Sequence, residues 1–328
     1  LVMPRSAVRK QPNIVLTSTL LGIFLLLSTL LAGSAQADIP APVMAPVLEV
    51  AESLELAETD LAVASIPLDG PGKARFMNAD IPLNPGSIMK VITTYAALEL
   101  LGPTFQWHTR LYTDGTIEGE TLSGNLYFVG SGDPKLTEER LWLLLRELRA
   151  MGITHITGDL ILDGSVFNLP NGITAFNDDG DNPNAPFLVE PNGLLTNLNV
   201  LRIRARADNR GVHTWTEPAL NGIHINNQLV LREYGHCPRR YQFDYEPTTR
   251  DDGSISITVT GVLPVGCSTS SYLSLLSQPT YTGALLSSLW QQLGGTLSGT
   301  IREGLRPRAD TELPVSYTHL TLPTKCSV

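Results

Sequence analysis

The sequence predicts a mixed α/β chain of the α+β kind, with a β-rich insertion inside it. Three observations predict this. Apolar residues recur at steps of three and four over 88–101, 138–151 and 279–293, the period of half-buried helices. Short runs at 108–112, 125–129, 156–163, 198–207, 223–231 and 254–262 read as strands. Between 105 and 278 there are several strands and few helices, so that region reads as an accessory β-rich module. At 328 residues and 42% hydrophobic, the chain can bury one large core or two or three smaller ones.

The elements follow in order. Residues 38–60 are rich in Ala, Pro, Val and Glu and read as a lead-in, with room for a short helix at 46–56. A strand at 60–66, a turn at Gly70-Pro71-Gly72 and a return strand at 75–80 come next. Pro85-Gly86 then marks a helix entry. Ile88, Met89, Ile92, Tyr95, Ala96 and Leu100 form the apolar stripe of that helix, and Gly102-Pro103 stops it. The helix over 138–151 turns Leu141, Leu144, Leu145 and Leu148 inward and Glu139, Arg146, Glu147 and Arg149 outward, with Thr137 placed to cap it.

Residues 168–193 hold many Asn, Asp, Pro and Gly and read as a long loop. Over 198–207, Leu198, Ile203 and Ala205 alternate with Arg202, Arg204 and Arg206. The arginine stripe reads as a solvated strand face; contact with an acidic polymer is the alternative. The helix over 279–293 points Leu285, Leu286, Leu289 and Leu293 inward and ends at Gly294-Gly295.

Composition narrows the function. A net charge of -9 argues against nucleic-acid binding, which needs a basic face. The six histidines are scattered and no cysteine spacing suits a metal, so neither metal nor cofactor is expected. Arg5, Arg9 and Lys10, the apolar run over 14–32 and Ala35-Gln36-Ala37 read as an export signal cleaved after Ala37. An uncleaved anchor is the alternative. The mature chain is expected outside the cytoplasmic membrane, in the periplasm, with no stable membrane span. Cys237 and Cys267 could bond in such an oxidising compartment, or stay as two buried thiols.

The candidate catalytic pair is Ser87 and Lys90. Both sit on one face of a helix start, one turn apart. A serine hydroxyl needs a nearby base to become a nucleophile, and a lysine amine can serve if its pKa is lowered. The helix N-terminus adds N–H groups and positive partial charge beside a developing oxyanion. The same spacing also fits two solvated surface residues. What sets it apart is its place at the head of an otherwise apolar helix.

Leu83-Asn84-Pro85-Gly86-Ser87-Ile88-Met89-Lys90-Val91-Ile92-Thr93-Thr94-Tyr95-Ala96-Ala97-Leu98 resembles the active-site helix of penicillin-recognising serine enzymes. It looks most like the class C low-molecular-mass penicillin-binding proteins, the D-alanyl-D-alanine carboxypeptidase/endopeptidase family. The runs Gly124-Asn125-Leu126-Tyr127-Phe128-Val129-Gly130-Ser131-Gly132-Asp133-Pro134-Lys135-Leu136 and Ile156-Thr157-Gly158-Asp159-Leu160-Ile161-Leu162-Asp163 resemble that family's inserted region. The likeness covers roughly residues 45–305.

The resemblance implies a penicillin-recognising serine transpeptidase/β-lactamase-like domain carrying inserted β-rich domains. Its implied parts are a signal peptide at 1–37, a first catalytic part at 38–104, the insertion at 105–278 and a return at 279–314. It further implies cleavage of D-Ala-D-Ala stem peptides of peptidoglycan through an acyl-enzyme on Ser87, with Lys90 as base, and acylation by β-lactam antibiotics. The rival readings are a β-lactamase-type hydrolase and a non-catalytic wall-binding protein of the same fold. Ser123-Gly124-Asn125 matches the Ser-x-Asn pattern of these enzymes but reads as turn chemistry, and Asp133 as a structural turn residue. No later Ser-x-Asn or Lys-Thr-Gly follows residue 300, so the chain is expected to be an inactive N-terminal fragment. Residues 315–328 resemble a translated sequencing adapter and are expected to be a non-native tail.

Overall fold

A computed structural model describes residues 37–38, 41–70, 72–168, 184–237, 243–308 and 311–320. The expected export signal lies outside these residues, apart from Ala37. The chain forms two compact units, with the boundary between Ala96 and Ala97.

The first unit carries β1 (Ala37–Asp38), α1 (Ala41–Ser53), β2 (Val63–Ser65) and β3 (Arg75–Met77). β3 pairs antiparallel with β2, as a strand and its return should, and parallel with β1. The turn after β3 is fixed by Asn78, which adopts a positive φ of 52° and donates from Nδ2 to the Leu61 carbonyl at 3.0 Å. A short 3-10 turn, Gly86–Ile88, then leads into α2 (Met89–Leu101), which runs across the unit boundary.

The apolar stripe of α2 does not behave as its period predicts. Ile92 is 59% exposed and Tyr95 64% exposed, and no residue of the helix is fully buried. Helix formation is decided locally, by good helix formers and a glycine stop. Burial needs a partner surface, and no element among the described residues covers this face.

The second unit holds two sheets built on one plan. Its first strands are β4 (Gln106–Thr113), β5 (Thr116–Glu118), β6 (Thr121–Ser123) and β7 (Leu126–Val129). α3 (Glu138–Ala150) follows, then β8 (His155–Ile156) and β9 (Leu160–Asp163). β6 pairs parallel with β8 and β7 parallel with β9, so α3 is the crossover that parallel strands require. All four residues of β9 are buried, as expected of a strand covered on both faces.

Leu141, Leu144, Leu145 and Leu148 of α3 are buried, matching the sequence pattern. Thr137 does not cap α3 through its side chain. Its carbonyl accepts from the Arg140 and Leu141 N–H groups. Its hydroxyl bonds Glu139 instead, which is the main reason that carboxyl sits below its usual range.

β10 (Leu201–Asp208), β11 (Gly211–Glu217), β12 (Ile223–Arg232), β13 (Asp244–Thr249), β14 (Ile255–Pro264) and β15 (Ser268–Leu273) make two three-stranded sheets. Their orders are β11-β10-β15 and β12-β14-β13. The inner face of β10 carries Leu201, Ile203, Ala205 and Ala207, all buried. Leu198, expected on that face, precedes the strand at φ 57° and is exposed. Cys237 and Cys267 are bonded, with an S–S distance of 2.03 Å.

α4 (Gln278–Gln292), β16 (Thr296–Leu297), β17 (Ile301–Glu303) and β18 (Thr311–Leu320) complete the unit. Leu285, Leu286, Leu289 and Trp290 of α4 join the leucines of α3 in one core. β16 extends the β8 edge and β17 the β9 edge, both parallel. Residues 278–303 thus close the layer opened by 106–163, and 201–273 is the insertion between its halves. β18 pairs antiparallel with β4, with a register break between Glu312 and Ser316. Backbone pairing of this kind is tolerant of sequence, so it leaves the expected origin of 315–328 as it was.

One hydrogen-bonded hub ties the hairpin strands together. Asp114 accepts from the Asn125 N–H, from Asn125 Nδ2 and from the Tyr127 hydroxyl, at 2.7, 2.8 and 2.8 Å. Asn125 Oδ1 in turn accepts from the Asp159 N–H at 2.8 Å. The backbones touch here: a Cβ on Gly115 would lie 2.1 Å from the Ser123 carbonyl oxygen, so only glycine fits.

Desolvation raises the Asp114 pKa, but the hydrogen bonds from Asn125 and Tyr127 outweigh it, and the net shift is downward. A depressed folded pKa means this stabilisation is present above the unfolded carboxylate range and fades as pH falls through the folded value. Asp114→Ala should cost about 1–3 kcal/mol at neutral pH by stranding three donors. Urea unfolding at pH 7 and pH 3 checks it: the gap between wild type and variant should shrink at the lower pH.

Candidate active site

The site is built from the residues that start α2. Asn84 Oδ1 accepts from the Gly86 N–H at 3.0 Å, and the Pro85 carbonyl accepts from the Ile88 N–H at 3.0 Å. These bonds close the 3-10 turn. Gly86 has φ +50°, a conformation that glycine adopts without strain. The turn carries Ser87 at its centre and ends where α2 begins, so Lys90 falls one turn beyond the serine.

The two side chains meet. Lys90 Nζ donates to Ser87 Oγ at 2.8 Å. Both residues are exposed. Thr93 Oγ1 donates to the Met89 carbonyl at 3.1 Å, a bond that keeps its hydroxyl on the helix backbone. An amine and a hydroxyl at this distance can exchange a proton directly, and the positive end of the helix dipole favours negative charge nearby.

The other sequence matches are structural. Asn125 is fully engaged in the Asp114 hub described above. Asp133 is buried and accepts from the Lys135 N–H at 2.9 Å, as a turn residue does.

The second unit also contains a cleft of about 770 Å³ that sequence reading does not reveal. Its lining includes Phe105, His108, Arg110, Tyr112, Asp163 and Arg306. The Arg306 guanidinium lies 4.0 Å over the Tyr112 ring, and the Arg306 backbone N–H donates to Asp163 Oδ2 at 2.8 Å. Arg110 faces Glu312 at 3.4 Å. Arg306 is 143 residues from Asp163 in the chain, so no local pattern could pair them.

A lysine amine set on a serine hydroxyl at a helix start is an arrangement from which acyl transfer to a serine can proceed. The chain belongs to the D-Ala-D-Ala carboxypeptidase 3 (S13) family, whose model matches residues 49–318. It is 46% identical over 82 residues to D-alanyl-D-alanine carboxypeptidase DacB of Haemophilus influenzae, covering 25% of this chain and 17% of that protein. It is 36% identical over 86 residues to a D-alanyl-D-alanine carboxypeptidase of Actinomadura sp. (strain R39), covering 26% of this chain and 16% of the relative. The crystal structure of penicillin binding protein 4 (dacB) from Haemophilus influenzae matches 71% of this chain with a TM-score of 0.55 and 25% identity.

The chain is therefore a mixed α/β member of the penicillin-recognising serine hydrolases with inserted domains. It spans about half of that solved chain, 51%. Among the described residues, no helix is long and apolar enough to cross a membrane, and no cluster of His, Cys, Asp and Glu could hold a metal ion.

Proposed function

We propose that the protein of which this chain is part is an exported, periplasmic serine-type carboxypeptidase acting on the D-Ala-D-Ala ends of peptidoglycan stem peptides. The observation that carries the reading is the 2.8 Å contact between Lys90 Nζ and Ser87 Oγ at the head of α2, in a chain of the S13 family.

In the proposed reaction the neutral Lys90 amine takes the Ser87 hydroxyl proton as Oγ attacks the carbonyl carbon between the two alanines. The tetrahedral oxyanion forms beside the N–H groups of the first turn. The C–N bond then breaks, and the leaving D-alanine nitrogen takes the proton from Lys90. Water, deprotonated by the same amine, attacks the Ser87 ester and releases the shortened peptide. Attack on a D-alanyl cross-link would follow the same path with a larger leaving amine.

A β-lactam presents a strained amide with a carboxylate, and would acylate Ser87 by the first half of this sequence. A structure of the Haemophilus influenzae relative in complex with a β-lactam supports that partner class. Incubation with a synthetic peptide ending in D-Ala-D-Ala tests the reading. Release of free D-alanine, blocked by prior penicillin, is expected. No release, or release insensitive to penicillin, contradicts it.

A further inference from the structure

The sheet formed by β11, β10 and β15 has one face that the catalytic reading does not use. Its inner face is buried, through Leu201, Ile203, Ala205 and Ala207. On the outer face the register sets three rungs across the strands. They are Glu217, Arg202 and Tyr272; Trp215, Arg204 and Ser270; and His213, Arg206 and Ser268.

The groups on this face are held rather than loose. Arg202 and Arg204 both bond Glu217, at 3.0 and 2.8 Å. Arg202 lies 5.1 Å from the centre of the Tyr272 ring, and Arg204 lies 5.0 Å from that of Trp215. Trp215 Nε1 donates to Glu217 at 3.2 Å. Trp215 nevertheless stays 38% exposed and Tyr272 55% exposed. Arg206 is exposed, and its side chain makes no ion pair, hydrogen bond or ring contact among the described residues. Asp208 at the strand end is taken by His213, at 3.3 Å.

Three guanidiniums therefore face two carboxylates, in a chain whose net charge is -9. Two exposed rings stand on the outer strands, roughly 10 Å apart across the sheet. Rings fixed by neighbouring guanidiniums lose little entropy on contact and offer flat apolar surface. Such surface suits the apolar face of a pyranose ring. The arginines suit carboxylates, which they can take with paired N–H donors.

We propose that this face is a docking surface for peptidoglycan itself, with Trp215 and Tyr272 stacking on amino-sugar rings of the glycan strand and Arg206 meeting stem-peptide carboxylates. The proposal rests on the peptidoglycan reading above for the choice of polymer. It deepens that reading by adding a polymer contact in the second unit.

The test is co-sedimentation of the full chain with purified peptidoglycan sacculi. Trp215→Ala/Tyr272→Ala and Arg206→Glu should each bind about tenfold more weakly than wild type. Their urea midpoints should match wild type, since all three side chains are at the surface. On glycan strands stripped of peptides, the ring variant should still be weakened while Arg206→Glu should match wild type. Unchanged sacculus binding in both variants overturns the proposal, as does preferential capture of single-stranded DNA that the same variants lose. Fluorescent-penicillin labelling of Ser87 is read in parallel on the complete reading frame. Sacculus binding that depends on this face without labelling would sink the Ser87 reading and spare the docking surface. Labelling with variant-insensitive binding would do the reverse.

Discussion

Ser87→Ala is expected to remove essentially all D-alanine release from a D-Ala-D-Ala peptide, a loss of about a millionfold in kcat for a nucleophile that works as part of a unit. Peptide binding should change little, because the hydroxyl is small and KM reports mostly the rest of the site. Lys90→Ala should cost about 10²–10⁴-fold, the usual range for a positioned proton acceptor. Lys90→Arg should be nearly as damaging as Lys90→Ala. Arginine keeps the charge but does not give up its proton in a protein, so it cannot act as base. These variants separate the catalytic reading from a solvated pair, for which all three changes would be mild. Steady-state kinetics on the complete reading frame provides the measurement.

Opening the Cys237–Cys267 bond should cost about 3–4 kcal/mol, the loop-closure value for the 30-residue separation that it bridges. The bond ties the segment after β12 to the turn between β14 and β15. Cys267 sits in a small core with Ala205, Ala207 and Leu263, edged by the half-buried Val212, Leu229, Leu231 and Phe243. Its own backbone is paired, since the Cys267 carbonyl accepts from the Ala207 N–H at 2.9 Å. Loss of the bond should therefore loosen the two three-stranded sheets and leave the α3–α4 core intact. Urea unfolding with and without dithiothreitol checks this. Wild type should lose stability on reduction. Cys237→Ser should start from the reduced value and ignore the reductant. Dithiothreitol-insensitive wild type with all three cysteines titrating as thiols, rather than one, would contradict it.

Much of the second unit was legible in the sequence because its signals are local. Leucine spacing in α3 and α4 set both the elements and their buried faces, and the alternation over 198–207 did the same for β10 except at Leu198, which precedes the strand and is exposed. What the sequence did not disclose was non-local. The parallel pairing of β6 with β8 and of β7 with β9 depends on which edges meet around a crossover helix. Placement of β16 and β17 depends on edges formed more than a hundred residues earlier. The short hairpin of β5 and β6 was missed because three-residue strands carry no periodicity.

The candidate site divides the same way. Ser87 and Lys90 were legible because a helix start brings residues three apart onto one face. The burial of α2 was not, since it depends on a partner surface that the stripe itself cannot specify. The Asp114 hub shows the opposite case. Ser123-Gly124-Asn125 carries a catalytic-looking pattern, yet its asparagine is consumed by Asp114 and Asp159, and only the glycine contact at Gly115 explains the spacing.

The central claim is that Ser87 is the acylated nucleophile. Incubation of the complete reading frame with penicillin, followed by proteolysis and mass spectrometry of the peptides, tests it most directly. The account predicts a single penicilloyl adduct on the peptide containing Ser87, fragmenting to place the added mass on that residue, and absent from Ser87→Ala. An adduct on any other serine, or no adduct under conditions where the protein is folded, would contradict it.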